Sequence, residues 1–201
     1  SDNRVSVLQG ITQIMPYFIH QQGGGRTSTR HTRTSPSTLK MPENWQVIDA
    51  SENGLCMSKP SGQRYPTPRG ELLALKLGHA QNWILGIVRR IHETENEEIQ
   101  LGIEIISHTI NLVQLLPIAG QQATINMQPA LLLDNHSPNE LNSTEEQFAL
   151  ICEQHNTHVS EYLVICQQPL FIQVHVLIHS SEQETDYCKL QANSKTPHSA
   201  V

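Results

Sequence analysis

From Trp45 onward the chain is written in short segments of Val, Ile and Leu, too brief for core helices of ordinary length. Trp45–Asp49, Leu55–Ser58, Glu71–Leu77, Trp83–Ile91 and Ile99–Ile106 are the first five. Turn formers part them: Glu52-Asn53-Gly54, Pro60-Ser61-Gly62, Gly78-His79 and the acidic run from Glu93 to Glu98. Short apolar strands punctuated this way predict a small antiparallel barrel or sandwich. Gly86 inside an otherwise apolar segment predicts a bulge or sharp bend, as barrel corners need.

The remainder repeats the style. Leu112–Leu116, Ala130–Leu133, Phe148–Glu153, Tyr162–Cys166 and Phe171–Ile178 read as further strands, with a long polar loop from Asp134 to Glu146. Residues from about Gln191 are polar and read as frayed. The chain therefore divides into an N-terminal segment or linker over 1–22, a first β domain over 23–108 and a second β-rich domain over 109–201. Within 1–22, Leu8, Ile11, Ile14, Met15 and Phe18 stand near helical spacing, which predicts a short helix ended by Pro16 or a strand of a missing neighbour. The chain begins at Ser1, so an excised piece of a longer protein is one reading.

Charge adds a second constraint. The net charge is −6, which argues against a general nucleic-acid binder and predicts no DNA partner. Yet between Arg4 and Pro42 there is no acidic residue, while Arg26, Arg30, Arg33 and Lys40 all fall there. A basic island on an acidic protein suggests a local anionic partner; a solvated loop is the plainer alternative. Gly23-Gly24-Gly25 precedes the island as a hinge.

Two patterns follow in order: Arg26-Thr27-Ser28-Thr29-Arg30, an R-x-x-x-R, and Asp49-Ala50-Ser51-Glu52-Asn53-Gly54, a D-x-S-x-x-G. Neither is specific alone. Together they fit a guanine nucleotide diester. Arginine grips phosphate or pairs with guanine O6 and N7 through its planar fork. The Asp49 carboxylate can accept from guanine N1 and N2 hydrogens, and the Ser51 hydroxyl can bridge to base or phosphate. Gly54 suits a tight turn and close ligand approach.

These residues resemble the PilZ family of cyclic di-GMP receptors, which carries both patterns in this order. Gly70-Glu71-Leu72-Leu73, Gly86-Ile87-Val88-Arg89-Arg90 and Leu101-Gly102-Ile103-Glu104 also resemble that family's barrel strands. The resemblance covers about residues 23–108. It implies a small antiparallel six-stranded barrel there; with the strand-like segments that follow, the expected fold is mainly β, that barrel and then a second small β-barrel-like domain, itself a candidate degenerate copy. The resemblance implies cyclic di-GMP as ligand, with Arg26 and Arg30 on guanine and phosphate, Asp49 and Ser51 on a guanine edge, and Arg90 stacked beneath a guanine. The expected protein is a non-enzymatic cytoplasmic receptor whose output is a protein partner or an upstream domain. The segment 109–118 carries Pro117 and reads as a strand, so the family's usual C-terminal helix is not expected here.

Other readings are weaker. Eleven histidines raise metal binding, with His175 and His179 on one strand face and His155 near His158. No H-E-x-x-H or C-x-x-C accompanies them, so no metal is expected. Cys56, Cys152, Cys166 and Cys188 lack disulfide-scaffold spacing, and reduced thiols are the default. The glycines before Arg26 lack a P-loop lysine, and no nucleophile–base pattern is evident, so no catalytic residues are expected. His31 and Arg33 read as solvated, and Trp45 and Trp83 as core or rim packing. No apolar run is long enough to span a membrane. The runner-up is a degenerate PilZ-like module that binds a protein and no nucleotide; a single-strand binder on an OB-like barrel is the third class.

Overall fold

A computed structural model describes residues 3–22, 39–59, 67–78, 80–95, 98–118, 127–133, 147–153, 161–166, 172–184 and 186–194. The chain forms two compact units, Ser1–His108 and Thr109–Val201. In the first, β1 (Arg4–Gln9), α1 (Ile11–Gln21), β2 (Glu43–Ser51), β3 (Gly54–Ser58), β4 (Leu72–Leu77), β5 (Ile84–Glu93) and β6 (Ile99–Ser107) follow in order. All pairings are antiparallel, and the strands close as β1-β2-β3-β6-β5-β4, with β4 returning to β1.

Period-two patterning decides which side chains enter this barrel. Leu55 and Met57 on β3, and Leu101 and Ile103 on β6, point inward and are buried. Val5, Val7, Trp45, Leu73, Leu75 and Val88 complete the core. Each such side chain contributes about 1.5–3 kcal/mol by leaving water. Gly86 does sit at a break in register between Leu85 and Gly86. A Cβ there would lie 2.5 Å from Ile103 Cγ2 and 3.1 Å from the Glu104 carbonyl oxygen, so the bend needs glycine.

The N-terminal stretch is not a linker. Arg4–Gln9 pairs with β2 on one side and β4 on the other, and so supplies the sixth strand that closes the barrel. Two periodicities are fused in this segment: Val5 and Val7 alternate as a strand, then Ile11, Ile14 and Met15 repeat as a helix. Gly10, at φ 74°, makes the switch, and its N–H bonds the Leu72 carbonyl at 2.8 Å. Pro16 lies inside α1 rather than ending it. It forgoes one helical hydrogen bond, and the buried face of Ile11, Ile14 and Met15 packed against β1 and β4 holds the helix.

The second unit holds β7 (Ile110–Pro117), β8 (Gln128–Leu133), β9 (Gln147–Cys152), β10 (Glu161–Cys166), β11 (Ile172–Gln183) and β12 (Cys188–Ser194). It too closes as a six-stranded antiparallel barrel. Residues 188–194 are not frayed: β12 pairs with both β9 and β11. Cys188, Leu190 and Ala192 alternate inward while the polar residues between them face out, so the segment looks polar to a linear reading. Tyr162, 2% exposed, sits in this core, where burial first and then Cys152 and Cys188 push its phenol up to about 12.

Candidate functional site

The D-x-S-x-x-G pattern occupies the β2–β3 hairpin. Ser51 pairs with Gly54 across a turn of Glu52 and Asn53. The Ser51 hydroxyl donates to the Gly54 carbonyl at 3.3 Å, and Ile105 N–H donates to the Asn53 carbonyl at 3.0 Å, fastening the turn to β6. Asp49 Oδ1 accepts from the Ala50 N–H at 2.9 Å. A carboxylate has about four acceptor positions, so this one bond leaves most of its capacity outward. Gly54 does not adopt a positive φ; a Cβ there would approach the Ile103 carbonyl oxygen to 3.0 Å. Close passage of β6, rather than the turn conformation, demands glycine at this position.

Register then carries the site across the sheet. Asp49 pairs with Cys56, Cys56 with Gly102, and Gly102 with Arg90. Leu55, Met57, Leu101 and Ile103 point inward, so this row lies on the outer face. Asp49 and Arg90 thus stand three strand spacings apart, about 14 Å along the sheet. Breaks in register between Val47 and Asp49, and between Val88 and Arg90, flank the row. Such bulges re-aim side chains, and both Arg89 and Arg90 are exposed where strict alternation would send one inward. A Cβ on Gly102 would lie 3.1 Å from Arg90 Cβ and 3.7 Å from its Cγ and Cδ. The bare glycine is the surface over which the Arg90 stem lies.

The result is an open groove of about 440 Å³, walled by the hairpin from Asp49 to Cys56, by Arg89 and Arg90, and by Gly102 to Glu104. The Arg89 Nε and the Glu104 carboxylate form an ion pair on its wall. Asp49, Ser51, Gly54 and Arg90, all candidates from the sequence, meet in this groove. Arg26 and Arg30 lie outside the described residues, as do the glycine hinge, His31 and Arg33. Sequence reasoning missed Arg89, Glu104, Cys56 and Gly102 as groove residues. Alternation in Leu101-Gly102-Ile103-Glu104 was the available signal for two of them, since it sends 102 and 104 to one face.

The aromatic and metal readings resolve differently. Trp45 is buried in the core, its Nε1 donating to Glu43 Oε2 at 3.1 Å. Beside it, Lys59 donates to Thr67 Oγ1 at 3.3 Å and lies 5.7 Å from the Trp45 ring centroid. Burial holds the Lys59 pKa below its ordinary value, with Glu43 and Glu71 opposing. Trp83 packs edge-on against Tyr17 and Phe18 of α1, away from the groove. His155 and His158 lie outside the described residues, as do the side chains of His175 and His179. Among the described residues no three His, Cys, Asp or Glu side chains converge on a common point, and no helix is long and apolar enough to cross a membrane.

A family model described as the middle PilZ domain of the cyclic di-GMP receptor FimW matches residues 13–111. No curated relative matches the sequence. Among solved structures, the chain is similar to MrkH, described as a c-di-GMP-dependent transcription regulatory factor, at 8% identity and a TM-score of 0.31. That match covers 80% of this chain and 75% of the other. K. pneumonia MrkH in its apo state gives 9% identity and a TM-score of 0.33, over 79% and 75% of the two chains. The family model spans the groove and every strand of the first barrel except β1. Over residues 13–111, the chain belongs to the PilZ domain family of cyclic di-GMP receptors.

Proposed function

We propose that the first unit binds cyclic di-GMP on the outer face of β2, β3, β6 and β5, without catalysis, and passes the binding event to a protein partner or neighbouring domain. The observation that carries this reading is the row Asp49–Cys56–Gly102–Arg90, with a carboxylate at one end and a guanidinium at the other. Asp49 would accept from the N1 and N2 hydrogens of one guanine, Ser51 would bridge to base or phosphate, and Arg90 would offer its plane to a base. Arg26 and Arg30 would close over the ligand from the chain between α1 and β2. Chain length permits it: from Arg30 to Glu43 an extended backbone spans roughly 40 Å, whereas Glu43 to Asp49 is about 20 Å of strand. Contacts from Arg26 and Arg30 to a bound ligand would convert occupancy into a new surface.

Titration calorimetry of the intact chain with cyclic di-GMP tests the proposal. Saturable binding with a Kd below about ten micromolar is expected. No heat at ligand concentrations on the order of tens of micromolar overturns it. The alternative, a PilZ-like module that binds protein and no nucleotide, draws on the local hydrogen bonds that Asp49 and Ser51 already make. Each residue makes one such bond, which leaves ample capacity for a ligand.

A further inference from the structure

We infer that Arg89 is a second anion-binding arm of this groove, held by Glu104 until a ligand phosphate displaces the carboxylate. The inference rests on the proposed ligand site and deepens it. Arg89 is the extra residue of the bulge between Val88 and Arg90, which puts two adjacent guanidinium groups on the outer face. Its partner is placed by register: Glu104 pairs with Gly54, and Gly54 with Ser51, so the carboxylate stands in the row beside Asp49 and Arg90. Both groups line the groove, and their side chains are 54% and 50% exposed.

An ion pair this open to water holds weakly. Exchange of the Glu104 carboxylate for a phosphodiester oxygen replaces one charge-assisted bond by another, at little cost in desolvation. Glu104 then acts as an internal competitor. It keeps the groove from carrying two bare cations when empty and weakens capture of simple anions. A different role for Glu104, reading the guanine N1 and N2 edge itself, makes the opposite prediction for its neutralisation.

Calorimetric titration of cyclic di-GMP into the intact wild-type chain, Arg89→Ala, Glu104→Gln and the double variant separates these outcomes. Measurements at 0.5 M salt, where the Debye length is about 4 Å, remove most through-space repulsion by Glu104. Arg89→Ala is expected to weaken binding about tenfold, the size of one charge-assisted contact at a half-exposed site. Glu104→Gln is expected to tighten it about threefold, and the double variant to match Arg89→Ala within about twofold, because the competitor acts only through Arg89. Arg89→Lys keeps the charge without the fork and is expected to weaken binding about threefold; it carries the test should the alanine variant fail to fold. Weaker binding by Glu104→Gln, or unchanged binding by the Arg89 variants, overturns the inference while leaving the proposed site intact. Equal tightening by Glu104→Gln with and without Arg89 also overturns it. No binding by the wild-type chain overturns both.

Discussion

The two barrels share one strand order and differ where the first keeps its chemistry. The first closes as β1-β2-β3-β6-β5-β4; the second, followed from its own first strand, closes as β7-β8-β9-β12-β11-β10. Even a bulge recurs: the register breaks between Val88 and Arg90 on β5, and between Ile178 and Ser180 on β11. Followed strand by strand, the row Asp49–Cys56–Gly102–Arg90 becomes Leu133–Ala149–Gln191–Ser180. The carboxylate is replaced by a buried leucine and the guanidinium by a hydroxyl. The two-residue turn between β2 and β3 has no counterpart either, since residues 134–146 separate β8 from β9. A shared topology is thus no warrant for a shared site. The bulge on β5 is common to both barrels; the two-residue turn, the bulge on β2 and the glycine at 102 are local to the first.

The buried ionisable groups extend the contrast to stability. Tyr162 in the second core holds its proton to about 12, while an unfolded tyrosine releases it near pH 10. Its contribution is full below pH 10 and is lost as pH rises to about 12, by roughly 2–3 kcal/mol. Lys59 in the first barrel has the opposite sign. Its folded pKa lies below 10.5, so the unfolded state binds more protons just below that value and stability rises with pH there. Both tryptophans lie in the first unit, so their fluorescence reports its unfolding, and phenolate absorbance adds the tyrosines of the second. Denaturant titrations from pH 8 to 12 should show the second barrel weakening first. The reverse order breaks the contrast.

Ligand binding should divide the same way. Arg30→Ala and Asp49→Ala are each expected to weaken cyclic di-GMP binding by about 2 kcal/mol or more, as for a lost charge-assisted contact. Leu133→Ala and Ser180→Ala, at the ends of the equivalent row, should leave the Kd unchanged. Gly86→Ala would force Ile103 aside and should lower the stability of the first barrel by about 1–3 kcal/mol, seen as a tryptophan-monitored midpoint shift. The smallest expected effect is Gly102→Ala. Its methyl would lie 3.1 Å from Arg90 Cβ, which the backbone can yield by a few tenths of an ångström, and 3.7 Å from Cγ and Cδ, which can turn aside. A loss of about 1 kcal/mol in binding with little change in stability would mark Gly102 as the residue that positions Arg90.

Much of this was legible in the chain itself. Strands β2 to β6 follow from apolar segments and turn formers, and the groove residues Asp49, Ser51, Gly54 and Arg90 from two motifs and a resemblance. Strand β1 was hidden because its alternation runs directly into the helical repeat of α1, so a window over both shows neither period cleanly. Strand β12 was hidden because its outward half is Lys189, Gln191 and Asn193. Arg89 was hidden for another reason: a bulge shifts which residue faces out, and its pairing with Glu104 is set by long-range register that a linear reading does not contain.

The most direct test compares hydrogen–deuterium exchange of the intact chain with and without saturating cyclic di-GMP. The account predicts slower exchange in peptides covering 43–58 and 84–107, with peptides covering 128–133 and 147–152 unchanged. Protection confined to the second barrel, or none in the β2–β3 hairpin under saturation, would contradict it.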